Sequence, residues 1–336
     1  FELALVFTAQ WFRLGGGVVH PLMRRYILEV IMNKKYEFNR WKGREDNSWP
    51  YRVFKQHNQQ LSRIYLSQIS ANKFTYSKLK ESGAVWESSP EDFFTYDDPT
   101  HKHTFKDISG WSDAYNEFDN WVNLNSIMAM SSNLETYMAT IIKLAIESDI
   151  GVIYGASKKI DGIKILKHNN AKKIDLKQHV MSCTKGDWTS RANGYEKIFG
   201  SVPDTITDYI SDLEKIRKLR NNVGHAFGRD IDVSREHDVL EIRPMDKLSR
   251  SKTLYYQSLL FGVAKAIDKH LYFEHIGEFQ TLYYYHQFLK TLPDTSHNAM
   301  HSNRVAFFRK ALGKYGSPKN LNKKTCSDII RYYDSL

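Results

Sequence analysis

Apolar positions recurring at intervals of three and four residues predict helix over most of this chain. Tyr26, Ile27, Val30 and Ile31, then Leu61, Ile64, Tyr65 and Ile69, predict two amphipathic helices between Met23 and about Ser70. The period fails between Ser82 and Ser112, where Ser-Ser-Pro-Glu-Asp and Asp-Asp-Pro-Thr predict turns, helix caps and the best domain boundary. From Trp121 to Ser148 there is no Gly or Pro, and Ile127, Met130, Leu134, Tyr137, Ile141, Leu144 and Ile146 lie near one face. This run is expected to be the longest helix of the core. Residues 151–184, rich in Lys, Gly and Asn, read as a surface excursion. RANGYEKIFG, after Trp188, predicts a short helix, and Pro203-Asp204 marks the start of another. Its stripe is Ile206, Ile210, Leu213, Ile216, Leu219 and Val223. Residues 229–250 are polar apart from a β-like run, VLEIRP, before Leu254, Leu259, Phe261, Val263 and Ile267 restore helical spacing. The predicted class is all-α: an N-terminal helical region over 1–110, a central bundle over 111–276 and a basic helical region over 277–336.

Composition narrows the classes of function. With 336 residues, 41% of them hydrophobic and 26% charged, the chain is long enough to bury a sizeable core. Its net charge of +10 and pI near 9.3 point to an anionic partner, nucleic acid first and an anionic membrane surface second. Most of the excess sits between His301 and Leu336, where eight cations face two acids, giving +6. Of those cations, Arg304, Arg309, Lys310 and Lys314 are the candidates for landing RNA. Neither a disulfide framework nor a thiolate metal site is expected from Cys183 and Cys326, which sit 143 residues apart. A mean hydropathy of −0.53 argues against a membrane span, and the opening run lacks the basic segment of a signal peptide. A reducing, cytoplasmic setting is the expectation, with no cofactor and no membrane partner.

The segment with most chemistry is Arg220-Asn-Asn-Val-Gly-His225, at the end of the last predicted core stripe before the polar stretch. Cutting RNA without metal needs a base for the 2'-hydroxyl proton, an acid for the leaving 5'-oxygen and a cation for charge gathering on phosphorus. His225 can serve the first two needs and Arg220 the third. Five helical steps turn about 140°, so the two side chains border one groove rather than share a line, and a second copy of the helix could complete it. The spacing alone is common, since Arg52-Val-Phe-Lys-Gln-His57 repeats it without the context. The plain alternative is that Arg220 pairs with Glu214 and His225 caps the helix end.

The string LRNNVGHAFGRD, preceded by DTITDYISDLEKIRK and WTSRANGYEKIFG, resembles the signature helix of the HEPN superfamily, in which four to six residues separate Arg from His. LETYMATIIKLAIES resembles the first long helix of that family and SLLFGVAKAIDKHL the last, so the likeness covers roughly 120–275. It implies a helical bundle that dimerises with its motif helices facing. It also implies a metal-independent endoribonuclease leaving 2',3'-cyclic phosphate and 5'-hydroxyl ends, of the kind found in toxin–antitoxin and antiviral systems, with an antitoxin or regulatory partner. Arg220 matches the motif arginine, His225 the motif histidine and Asn221 the polar spacer. Glu135 is the candidate acidic residue from the first helix, with a solvated helix-face carboxylate as the alternative. Family members also occur as non-catalytic RNA-binding or protein-binding modules.

Other constellations are weaker. His297 and His301 have helical spacing but lack the Glu of a zinc protease motif, because residue 298 is Asn. His101 and His103 read as an exposed pair, and Gly15-Gly16-Gly17 and Gly313-Lys314 lack the rest of a phosphate-binding loop. No metal site is predicted. Most aromatics in Tyr283-Tyr284-Tyr285-His286 and Phe307-Phe308 are expected in the core.

Overall fold

A computed structural model describes residues 38–168, 174–236, 242–292, 300–313 and 322–336. The chain divides after Asn39 into two compact units, and the described helices belong to the second, Arg40–Leu336. They are α1 (Trp49–Glu81), α2 (Ile108–Ser148), α3 (Gly162–His168), α4 (Lys177–Thr184), α5 (Trp188–Phe199), α6 (Asp204–Thr207), α7 (Ile210–Ala226) and α8 (Ile231–Ser234). After these come α9 (Arg250–Leu271), a π-helical turn (Tyr272–Ile276), α10 (Phe279–Lys290), α11 (His301–Leu312) and α12 (Lys323–Ser335). The class is all-α. Among the described residues the sole β-type pairing is an isolated bridge between Asp149 and Asp161.

The core is built around α2, against which α1, α7, α9 and α4 pack. Its expected face is buried at Ile127, Met130, Leu134, Tyr137, Ile141 and Ile146, while Leu144 is partly buried. The helix begins thirteen residues before the predicted Trp121. Asp107 caps it through Gly110 N, 2.9 Å, and no Pro or αL Gly interrupts residues 108–120. The predicted helix ending near Ser70 likewise runs on to Glu81, capped at its start by Ser48, whose hydroxyl accepts from Tyr51 N. Tyr65 is buried and Leu61 packs against the core, but Ile64 is 61% exposed. The helix predicted around Tyr26 to Ile31 lies outside the described residues.

The predicted boundary at 110 falls in the first turn of α2, just after the connection from α1, and the two sides are not separate bodies. Tyr51 and Phe54 of α1 belong to the same core as Tyr137 of α2, with Phe54 and Tyr137 ring centroids 5.1 Å apart. Further out, Tyr76 packs on Trp111 and Tyr115, and its hydroxyl meets that of Ser112 at 2.9 Å. Near 277 the main hydrophobic cluster ends at Ile276, although both sides belong to the one compact unit Arg40–Leu336. Beyond Ile276, α10, α11 and α12 bury rings of their own, including Tyr285, Phe308 and Tyr333.

Residues 151–184 are more than a surface excursion. Val152, Ile163, Leu176 and Cys183 are buried, supplied by short helical pieces whose apolar residues are too few to show a period. Both cysteines are buried thiols outside any disulfide, and burial pushes each up to about 11. The stripe from Ile206 to Val223 is interrupted at Asp208–Tyr209, yet Ile206, Leu213 and Ile216 are buried as expected, with Ile210, Leu219 and Val223 partly buried against the core. Of VLEIRP, Val239 to Glu241 lie outside the described residues and Ile242 is exposed in irregular chain. Leu254 is exposed on α9, whereas Leu259, Val263 and Ile267 are buried.

One buried carboxylate joins three of these elements. Asp268 of α9 accepts from Ser48 N and the Ser48 hydroxyl at the start of α1, and from Tyr137 Oη of α2 at 3.3 Å. Burial outweighs these donors and raises Asp268 to about 6. The native state therefore holds this proton at pH values where the unfolded chain releases it. The contribution to stability is full below about pH 4 and lost as pH rises through about 6, up to about 3 kcal/mol. Urea unfolding at pH 4 and pH 7 should show Asp268→Asn gaining on wild type at the higher pH by up to that amount; an offset that does not change with pH would refute it.

Candidate functional site

Arg220, Asn221 and His225 lie on the C-terminal half of α7, whose inner face is fixed by Leu213 and Ile216. The helix ends in a left-handed turn, with Phe227 at φ 53° and Gly228 at φ 79°, and Gly228 N closes back on Asn222 O at 2.9 Å. The left-handed φ favours glycine at 228, and a β-carbon there would also sit tightly, 3.0 Å from Leu124 Cδ1. The end of α7 is then tied to the following chain and to α2. Asn222 Nδ2 donates to Asp246 Oδ2 at 2.9 Å, and Asn120 Nδ2 donates to the Asp246 carbonyl at 2.9 Å.

Arg220 is held from across the bundle. Its Nη2 donates to Glu135 Oε2 of α2 at 3.1 Å, and its Nη1 to the neighbouring Asn221 Oδ1 at 3.0 Å. The alternative pairing with Glu214 does not form, because Glu214 holds Arg217 through both of its oxygens and also accepts from Trp188 N. Arg217 in turn holds the Glu214 carboxyl below its usual range. His225 is exposed and makes no hydrogen bond or ion pair among the described residues, so it does not cap the helix. Glu135 is not a solvated helix-face carboxylate either: its side chain is 14% exposed and lies between two arginines.

The second arginine, Arg191 of α5, is the site residue that sequence reasoning passed over. Its Nη2 donates to Glu135 Oε1 at 3.1 Å and its Nε to the Gly186 carbonyl at 3.0 Å, beside the Trp188 ring. A signal was present, since Arg191 falls on the stripe formed by Trp188, Ala192, Tyr195, Ile198 and Phe199. A guanidinium on a buried stripe requires an acid from another element.

The other candidates separate. Arg304 forms both nitrogen–oxygen pairs with Asp334, tying α11 to α12, whereas Arg309 and Lys310 are exposed. Lys314 lies outside the described residues. In the control repeat, Arg52 pairs with Glu45, and exposed His57 has its Nδ1 3.1 Å from Asn133 Oδ1 of α2. His301 meets Ser327, His297 lies outside the described residues, and exposed His103 pairs with Glu91. Among the described residues no three His, Cys, Asp or Glu side chains gather as metal ligands. None of their helices is long and apolar enough to cross a membrane. Tyr285 and His286 are buried, the latter bonded to Tyr333 Oη, but Tyr283 and Phe307 are exposed.

Comparison with protein-family models, with curated proteins and with solved structures finds no match for the chain.

Proposed function

We propose that the chain is a metal-independent endoribonuclease of HEPN type. The observation that supports this best is the arrangement on α7: an arginine fixed at the surface by an acid 85 residues away in sequence, with an unengaged histidine one and a half turns further on. Arg220 uses one hydrogen of each Nη in these contacts, leaving donors for a phosphate oxygen. In the proposed step the base removes the 2'-hydroxyl proton, the 2'-oxygen forms a bond to phosphorus, and the phosphorus–O5' bond breaks as the acid protonates O5'. The products are a 2',3'-cyclic phosphate and a 5'-hydroxyl. An in-line displacement puts base and acid on opposite sides of phosphorus. A single His225 cannot take both places, so the reading calls for a second copy whose α7 faces the first. Exposed Arg309 and Lys310 would add sequence-independent attraction for RNA. A toxin or antiviral effector with a regulatory partner is the setting the resemblance suggests.

The second reading, a non-catalytic RNA-binding or protein-binding module, is favoured by the same Glu135–Arg220 pair taken as a structural tie between α2 and α7. Incubating purified protein with labelled RNA in excess EDTA separates the two. The expected result is cutting that survives chelation and leaves cyclic phosphate ends; intact RNA that is shifted in a gel would support the binding module. Light scattering at micromolar concentration is expected to give twice 39.3 kDa, and a single-copy mass would remove the composite site.

A further inference from the structure

Arg191, Glu135 and Arg220 form a stack running outward from the core. Side-chain exposure rises from 6% to 14% to 32% along it. One carboxylate sits between two guanidiniums, each 3.1 Å away on a separate oxygen. The inner guanidinium cannot be the phosphate ligand, because it is buried and also occupied by the Gly186 carbonyl and the Trp188 ring. Its effect on the outer one is electrostatic. Were Glu135 bound to Arg220 alone, the pair would be neutral and a poor attractor of anions. With Arg191 offsetting the carboxylate, Glu135 can fix the geometry of Arg220 while the triad keeps a net charge of +1 directed at the surface. Arg217 contributes little to this balance, being paired with Glu214.

We infer that Arg191 is a positioning residue, which neutralises and anchors Glu135 so that Arg220 is both held in place and left with its positive charge for a phosphate of single-stranded RNA. This rests on the endoribonuclease reading only in taking Arg220 to be the phosphate ligand. A direct ligand role for Arg191 is not part of it.

The test uses binding of a 2'-O-methyl RNA oligonucleotide, which lacks the attacking hydroxyl, so that affinity is read without cutting. Arg191→Gln should weaken binding about tenfold. It should also lower the slope of log K against log salt by about 0.7, the loss of one cation from a single-strand site. Glu135→Gln with Arg191→Gln restores the net charge of +1 and should return both affinity and slope to near wild type. A residue needed only for packing would not be rescued by a second buried change. A single variant that binds like wild type, or a double variant as weak as the single, overturns the inference. Should Arg191→Gln fail to fold by circular dichroism, Glu135→Gln alone is compared with the double: it should bind more tightly and with the steeper slope, and equality overturns the inference. Arg220→Ala in the same assay isolates the underlying reading. If it binds as wild type does, Arg220 is not a phosphate ligand and both fall; if it binds weakly while Arg191→Gln does not, only the inference falls.

Discussion

Arg220→Ala and His225→Ala should each reduce RNA cutting by about a thousandfold, while Arg52→Ala and His57→Ala leave the rate per folded molecule unchanged. The magnitude follows from chemistry. A positioned general acid or base contributes about 10²–10⁴ in rate, and one donor aimed at developing charge about 10²–10³. The two pairs share spacing but not surroundings. Arg52 is taken by Glu45 and His57 is held beside Asn133, so neither is left to act on a bound phosphodiester. His225 is exposed and unengaged, so its replacement should leave the unfolding midpoint within experimental error. Loss of cutting would then reflect chemistry rather than folding. Equal losses from the Arg52 and His57 variants with folding intact would put the reacting groups on the wrong helix.

What a periodic pattern can reveal is the inward face of a helix, and α2 and α7 were legible for that reason. Ile127 to Ile146 and Ile206 to Val223 repeat at three and four over several turns, and the buried positions follow them. The ends of helices were less legible. Residues 108–120 carry Trp111, Tyr115 and Phe118 among acids, a mixture that reads as turn in isolation, but their rings stack against one another and against α1. Residues 151–184 lack a period because single residues such as Ile163 and Cys183 each fill one place in the core.

Local sequence could place Arg220, Asn221 and His225 on one helix end, since they are neighbours. What it could not give was pairing between distant elements. Glu135 had several arginines available and Arg220 had a nearer acid in Glu214, yet Glu214 went to Arg217, its neighbour at three residues. Once that pair is made, the acid on α2 is the one left facing Arg220 and Arg191. Only the inward position of Arg191 hinted that α5 had to find an acid somewhere.

The same limit applied to Arg40, whose replacement by Met should cost about 3–5 kcal/mol, a large share of the stability of a domain. Nothing near it in sequence marks it as central, but it is 1% exposed and its guanidinium gathers three segments. Its Nη2 reaches Asp161 at 2.7 Å and the Ser148 carbonyl at 2.7 Å, and its Nη1 reaches Ser148 Oγ at 2.8 Å and the Ile276 carbonyl at 3.3 Å. Asp161 carries the tie onward by accepting from Tyr332 Oη of α12 at 2.7 Å. Burial pulls the Arg40 guanidinium below its ordinary pKa and Asp161 opposes that, so it remains a cation whose loss strands the carboxylate. The penalty arises chiefly from what is left behind: Asp161 without its cation, and the Ser148 carbonyl without its Arg40 donor, where the end of α2 meets the end of the π-helical turn. Denaturant unfolding of Arg40→Met, Asp161→Asn and the double variant measures this directly. The double should be more stable than the sum of the single losses predicts by at least about 1 kcal/mol, because a neutral amide in place of the carboxylate no longer needs the cation. Additive losses would mean that Arg40 acts through packing and its carbonyl contacts, with Asp161 an incidental neighbour.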